Sequence, residues 1–320
     1  MSALPRLLHG AVDLLAMCAE DLRRRPPVPF RPAPSAPLAC FGPLPSPPPP
    51  PRGAGPWRPP LPRPVVGADG DRLTVHVAEA TGARRGTVIL SPPWKIGSPR
   101  LVAGWVRLLA RAGYEAWLAV PPRHWDRSPA GVRSGEAFAS PDLPALRSAV
   151  EQSVLELRWL AAIARARGGE VGLVGLSLGG LSAALAATAP EPLDFVALVA
   201  PPADLLHVLA ATRIGRRYAR LAARAGAPMP GRAALRGMLA PFRPAGRSPT
   251  AARLLVALGR YDRVVLPRGP AALARAWGLA PRIYPRGHLT LLFASGAVRR
   301  DLAGFLAVSA APPGTRPGPA

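Results

Sequence analysis

Between residues 65 and 308, short apolar runs alternate with longer stretches in which apolar residues return every three or four positions. TVILSPP, YEAWLAVPP, VGLVGLS, LDFVALVAPP, RLLVALG and PRIYP have the length of buried strands, and most end in Gly, Pro or Ser. RLVAGWVRLLARAG, DLPALRSAVEQSVLELRWLAAIARARG and LSAALAATAP carry helical periodicity between them. DRLTVHVAEA, ahead of them all, alternates with period two and reads as an antiparallel strand at a sheet edge. Strand and helix in alternation predict an α/β fold, a mostly parallel central sheet covered by helices on both faces. Ligands of such sheets sit at the carboxyl ends of the strands.

Two segments precede this frame. Residues 1–25 place Leu4, Leu7, Leu8, Ala11, Val12, Leu15, Cys18 and Leu22 at helical spacing, which predicts an amphipathic helix with one apolar stripe facing the domain or a membrane surface. His9 and Asp13 interrupt the apolar stretch, and acids and arginines end it, so it does not read as a secretory leader. Residues 26–64 contain PSPPPPP and PWRPPLPRP, where missing amide hydrogens exclude ordinary helix and central strand. They read as an extended linker or a wrap across the domain surface. Residues 309–320 read as a flexible tail. No apolar run is long enough for a spanning helix.

The net charge of +23 raises nucleic-acid binding, but the rest of the sequence argues against it. Lys95 is the only lysine, the arginines are scattered through helical patterns, and no zinc-finger spacing or stacking motif accompanies them. An anionic lipid surface or an acidic substrate fits the charge better. Cys18 and Cys40 give neither a disulfide framework nor metal-ligand spacing, and a reducing, cytoplasmic compartment is the expectation, with membrane association as an addition.

The chemistry centres on VGLVGLSLGGLSAALAAT. Residues 171–175 predict a central strand, Ser177 the tip of a sharp turn, and residues 181–189 the following helix. Gly175 and Gly179 remove side chains where strand and helix meet, which lifts the serine to the carboxyl edge above a helix N-terminus. This is a G-x-S-x-G nucleophile elbow, whose partners follow in the order serine, acid, histidine. Of five histidines, His288 follows a late strand and a glycine in IYPRGHLTLL, with chain left for a closing helix. Asp262 lies just past the strand of RLLVALGRYDRVVLP, and Asp204, after LDFVALVAPP, is the alternative acid. The residue types suit acyl transfer. Serine is a poor nucleophile without a base, an imidazole titrating near neutrality supplies one, and the acid fixes its tautomer.

Through this elbow, the G-x-x-D loop 259–262 and the pair Gly287-His288, the chain resembles the α/β-hydrolase superfamily over residues 65–306. The resemblance implies an oxyanion hole of two amides, one from Leu178. The other belongs after TVIL, where superfamily members often carry His-Gly and this chain has Ser91-Pro92-Pro93-Trp94-Lys95. Two prolines have no amide hydrogen, so Trp94 is the expected donor and Lys95 the reserve. Lys95 and His124 are candidate substrate-binding residues at the mouth and rim of the site. Residues 203–252 occupy the position of a lid. The expected activity is hydrolysis of a carboxylic ester, lipid-like in the reading that suits the basic surface, through an acyl-enzyme; thioester, lactone and peptide bonds share the same geometry. The alternative is an inactive hydrolase-like scaffold binding a partner or an anionic surface. No metal or organic cofactor is called for.

Overall fold

The computed structural model describes residues 4–21, 26–62 and 72–308. The expected tail 309–320 and the boundary between residues 64 and 65 lie outside the described residues. Eight strands form one sheet in the order β1-β2-β4-β3-β5-β6-β7-β8: β1 Gly55–Trp57, β2 Val75–Ala78, β3 Gly86–Ser91, β4 Tyr114–Ala119, β5 Glu170–Leu176, β6 Phe195–Val199, β7 Arg253–Gly259 and β8 Arg282–Tyr284. β3 to β8 run parallel, and β1 and β2 add an antiparallel edge. The central strands are buried on both faces, as their continuous apolar runs require.

Alternate side chains of those strands feed two cores. On one face, Ile89, Val171 and Leu173 pack with α3 (Leu143–Ala166), α4 (Leu178–Ala186) and α8 (Arg268–Ala276). On the other, Val88, Leu90, Val174 and Leu176 pack with α2 (Ala103–Arg111), α9 (His288–Ala294) and α10 (Gly296–Ala307). Helices α5 (Leu205–Ala211), α6 (Arg213–Arg224) and α7 (Arg232–Leu239) follow β6 and lie at the carboxyl edge. α3 begins at Asp142, whose carboxylate accepts the Ala145 amide at 3.0 Å. One buried ion pair, Arg127 with Glu156 through two 2.7 Å contacts, joins the loop after β4 to the middle of this helix.

The proline-rich segment does not hang free. Ala33, Leu38 and Cys40 enter the first core, Gly55–Trp57 forms the outermost strand, and Trp57 stacks at a tilt on Trp117. A proline in that strand is tolerated because an edge strand has one side without ladder partners. Arg147 donates to the carbonyls of Pro34, Ala36 and Pro37, Arg158 to those of Cys40 and Gly42, Arg167 to Pro51 and Trp159 to Pro60.

The first helix, α1 (Leu4–Asp21), docks against α9 and α6, with Leu8 and Leu15 turned away from the domain. Leu8 and Leu15 are 60% and 69% exposed, whereas His9, Asp13 and Met17, each four residues from the next, and Gly10 beside them are buried. Of the two expected environments for the apolar stripe, the domain surface does not cover Leu8 or Leu15. The Asp13 carboxylate meets backbone donors, so the face that carries it is the one that docks. Among the described residues no helix is long and apolar enough to cross a membrane.

Candidate active site

β5 delivers Ser177 at the carboxyl edge with φ 50° and ψ −118°, a conformation that costs a residue bearing a Cβ of order 1–3 kcal/mol. The surrounding turn holds it there. The Ser177 amide donates to Val199 at 2.8 Å, and its carbonyl accepts from Gly180 at 2.7 Å. A Cβ on Gly175 would lie 2.6 Å from the Gly179 carbonyl oxygen, and one on Gly179 would lie 2.1 Å from that of Ser91. Only glycine lets the turn, the helix and the loop after β3 meet this closely.

Ser177, Asp262 and His288 come together. The Ser177 hydroxyl lies 2.9 Å from His288 Nε2, and His288 Nδ1 lies 2.7 Å from Asp262 Oδ2. The other Asp262 oxygen accepts the amides of Val264 and Val265, both at 2.8 Å. All three residues are buried. Burial by itself would raise the Asp262 pKa, but the charge and hydrogen bond of His288, aided by the two amides, hold it below the ordinary carboxylate value. Burial likewise opposes charge on His288, yet Asp262, through charge and hydrogen bond, and Asp13 raise its pKa above the ordinary 6.5. Asp204, the alternative acid, instead caps α5 by accepting the His207 amide at 3.1 Å.

Beside the serine runs the loop after β3. Leu178 opens α4 directly above Ser177, and Trp94 lines the same cavities as the serine. Trp94 Nε1 donates to Gly135 at 2.6 Å, and the Lys95 amide donates to His124 Nε2 at 3.3 Å. The Lys95 amide, held in reserve for the oxyanion, thus faces an imidazole. His124 sits not on the rim but fully buried behind this loop, where Nδ1 faces the Pro122 carbonyl at 2.9 Å. Burial lowers its pKa to about 4, with Arg127 adding to the effect, so it is neutral at pH 7, a proton on Nδ1 and an acceptor at Nε2. Gly135 makes this packing feasible: at φ 71°, a Cβ there would lie 2.4 Å from His124 Nε2.

Two cavities meet at Ser177. The larger, about 290 Å³, is lined by His288, Leu289, Lys95, Arg213, Arg217 and Met17 among others, with no carboxylate among the described residues that line it. The smaller, about 80 Å³, is walled by Leu146, Leu178, Leu205, Val208, Leu209 and Val265 and is almost wholly apolar. α6 contributes to both walls through Ile214 and Tyr218, and α5 to the smaller cavity alone. Sequence reasoning singles out neither Asp13 nor Met17 here. The signal available was the His9, Asp13, Met17 spacing, four residues apart on one face of a helix.

No protein-family model matches the sequence, and no curated protein is similar enough to match it. Solved structures do match. An esterase of Pyrococcus furiosus shares 15% identity over 73% of this chain and 87% of its own, with a TM-score of 0.50. Ferulic-acid-bound Est1E of Butyrivibrio proteoclasticus shares 11% over 76% and 95%, at 0.53. An acetyl xylan esterase of a Paenibacillus species shares 17% over 74% and 81%, at 0.52. By sheet order, by the turn that carries Ser177 and by these likenesses, the chain has the α/β-hydrolase fold.

Proposed function

We propose that the protein is a serine hydrolase that cleaves carboxylic esters through an acyl-enzyme. The observation that carries this reading is the unbroken line from Asp262 through His288 to Ser177, ending at a strained serine that opens into two cavities. Ser177 Oγ attacks the ester carbonyl as His288 Nε2 takes its proton. The amides of Leu178 and Trp94 hold the oxyanion, with His124 bracing the Trp94 turn through the next amide. His288 then returns the proton to the departing alcohol, and water, activated by the same imidazole, releases the acid and restores Ser177.

The two cavities support a division of the ester between them. His288 must reach the leaving oxygen and lines only the larger cavity, so the alcohol lies there and the acyl group in the small apolar one. A short acyl chain follows from the size of that chamber. Lys95, Arg213 and Arg217 around the alcohol favour one bearing negative charge. Residues 203–252 act as the lid, and a peripheral anionic surface is a compatible source of substrate.

Labelling with a fluorophosphonate, followed by a series of p-nitrophenyl esters, tests this. Labelling abolished by Ser177→Ala and a rate that declines from butyrate to dodecanoate are expected. A folded wild-type protein that neither labels nor hydrolyses any ester in the series overturns the reading in favour of an inactive scaffold.

A further inference from the structure

Asp13 belongs to a helix outside the α/β frame, yet it is fully buried among the loops that carry His288 and Asp262. Its Oδ2 accepts the His288 amide at 2.7 Å and the Arg263 amide at 3.1 Å; its Oδ1 accepts the Leu289 amide at 3.0 Å. One carboxylate oxygen thus joins the residue that follows Asp262 to His288 itself. A buried carboxylate is costly unless its oxygens are met by donors, and here three backbone amides meet them. Burial still raises the Asp13 pKa, opposed by those amides.

The contact is more than a way of docking α1. An apolar residue at position 13 would also seat a helix, but it would leave the first two amides of α9 without this acceptor. The rest of α9 is anchored independently, with Leu291 and Leu292 in the core and the Leu292 carbonyl accepting from Trp105 at 3.0 Å. The turn at Gly287 is shaped for α1: a Cβ there would lie 2.4 Å from the His9 carbonyl oxygen and 2.8 Å from Asp13 Oδ2. His9 Nε2 accepts from Arg286 at 2.8 Å, and Ala16 and Met17 continue the same face into the wall of the larger cavity.

We propose that Asp13 is a positioning residue for the hydrolysis, locking the His288 turn to the Asp262 loop, so that the triad is fully assembled only with α1 docked. The inference rests on the proposed serine-hydrolase reading. The charged and titratable groups facing His288 are Asp262 and Asp13, with Ser177 at Nε2; His9, Arg263 and Arg286 surround Asp13, and Lys95, Arg213 and Arg217 line the cavity beyond. Asp13 adds to the raised pKa of His288, so removing its charge moves the acidic limb of the rate profile to lower pH.

The test compares full-length wild type, Asp13→Ala and Asp13→Asn by hydrogen exchange at the amides of residues 263, 288 and 289, and by fluorophosphonate labelling rate against pH. Asp13→Ala should lose protection at 288 and 289 and label on the order of 100-fold more slowly while folded, as expected of a misplaced reacting group. Asp13→Asn, which keeps an acceptor oxygen and the side-chain volume, should label faster than Asp13→Ala with its acidic limb below that of wild type. If Asp13→Ala does not fold, Asp13→Asn carries the test through its limb and its exchange. Wild-type exchange, labelling rate and limb in a folded variant overturn the proposal. If wild type does not label, the serine-hydrolase reading fails, while the exchange data still decide whether Asp13 holds the two loops.

Discussion

The two segments that precede residue 72 are bound by largely opposite chemistry. α1 brings one carboxylate to three backbone donors at the carboxyl edge of the sheet. The strap of residues 26–62 brings mainly backbone acceptors to side-chain donors along α3, with the Ala39 amide donating to Glu151 as the exception. A proline-rich chain has carbonyls but few amide hydrogens, so it cannot build a ladder of its own, and guanidinium groups, which only donate, are its complement. The difference teaches where to look for the effect of losing each. α1 touches the reacting groups and should act on rate. The strap touches the core helix and should act on stability. It also accounts for part of an arginine content that composition alone would assign to an anionic partner, since Arg147, Arg158 and Arg167 turn inward to the strap.

The largest effect sets the scale of the chemistry. Asp262→Asn should lower the fluorophosphonate labelling rate about 10⁴-fold, because the imidazole tautomer is no longer held, with little change in melting temperature. A loss under tenfold would remove the triad from its side of the comparison. On the side of the strap, Arg158→Met leaves the carbonyls of Cys40 and Gly42 and the carboxylate of Glu191 without a buried donor. Urea denaturation should show a loss of about 3–5 kcal/mol, with the labelling rate of the folded fraction unchanged. A variant as stable as wild type but slow to label would reverse the assignment of the two segments.

The pH profile sharpens the same contrast. In the proposed hydrolysis His288 must be neutral to accept the serine proton, and its pKa is raised above the ordinary 6.5, so the rate should rise with pH through a midpoint above that value. Arg158→Met should leave the midpoint in place; one that moved it would tie the strap to the site. The smallest effect is expected of Arg31→Ala, which loses an exposed ion pair between the strap and Asp142 and should cost about 0.5 kcal/mol in the same denaturation experiment.

The fold was legible because its signals are local. Strands buried on both faces read as continuous apolar runs, and helices with one buried face read as a three-to-four repeat. Ser177, Asp262 and His288 stand at ends of such runs beside glycines, and they are the residues found within hydrogen-bond reach of one another. Where the reading departed from the structure, the missing information was not local. The leucine spacing of α1 gave a sound helix but did not reveal that the face carrying Asp13 docks, because hydrophobicity cannot register a carboxylate whose partners are backbone amides. His124 read as a rim residue because loops after strands generally reach solvent, while the packing of Gly135 and Trp94 covers it.

By itself the sequence determined the strand and helix alternation, the turn that exposes Ser177 and the order in which an acid and a base follow it, since each depends on residues a few positions apart. Only the tertiary structure decided that the proline-rich segment straps the core helix and that Asp13 reaches the His288 turn. Those contacts join positions more than a hundred residues apart and rest on backbone groups, which every residue carries and no residue name reveals.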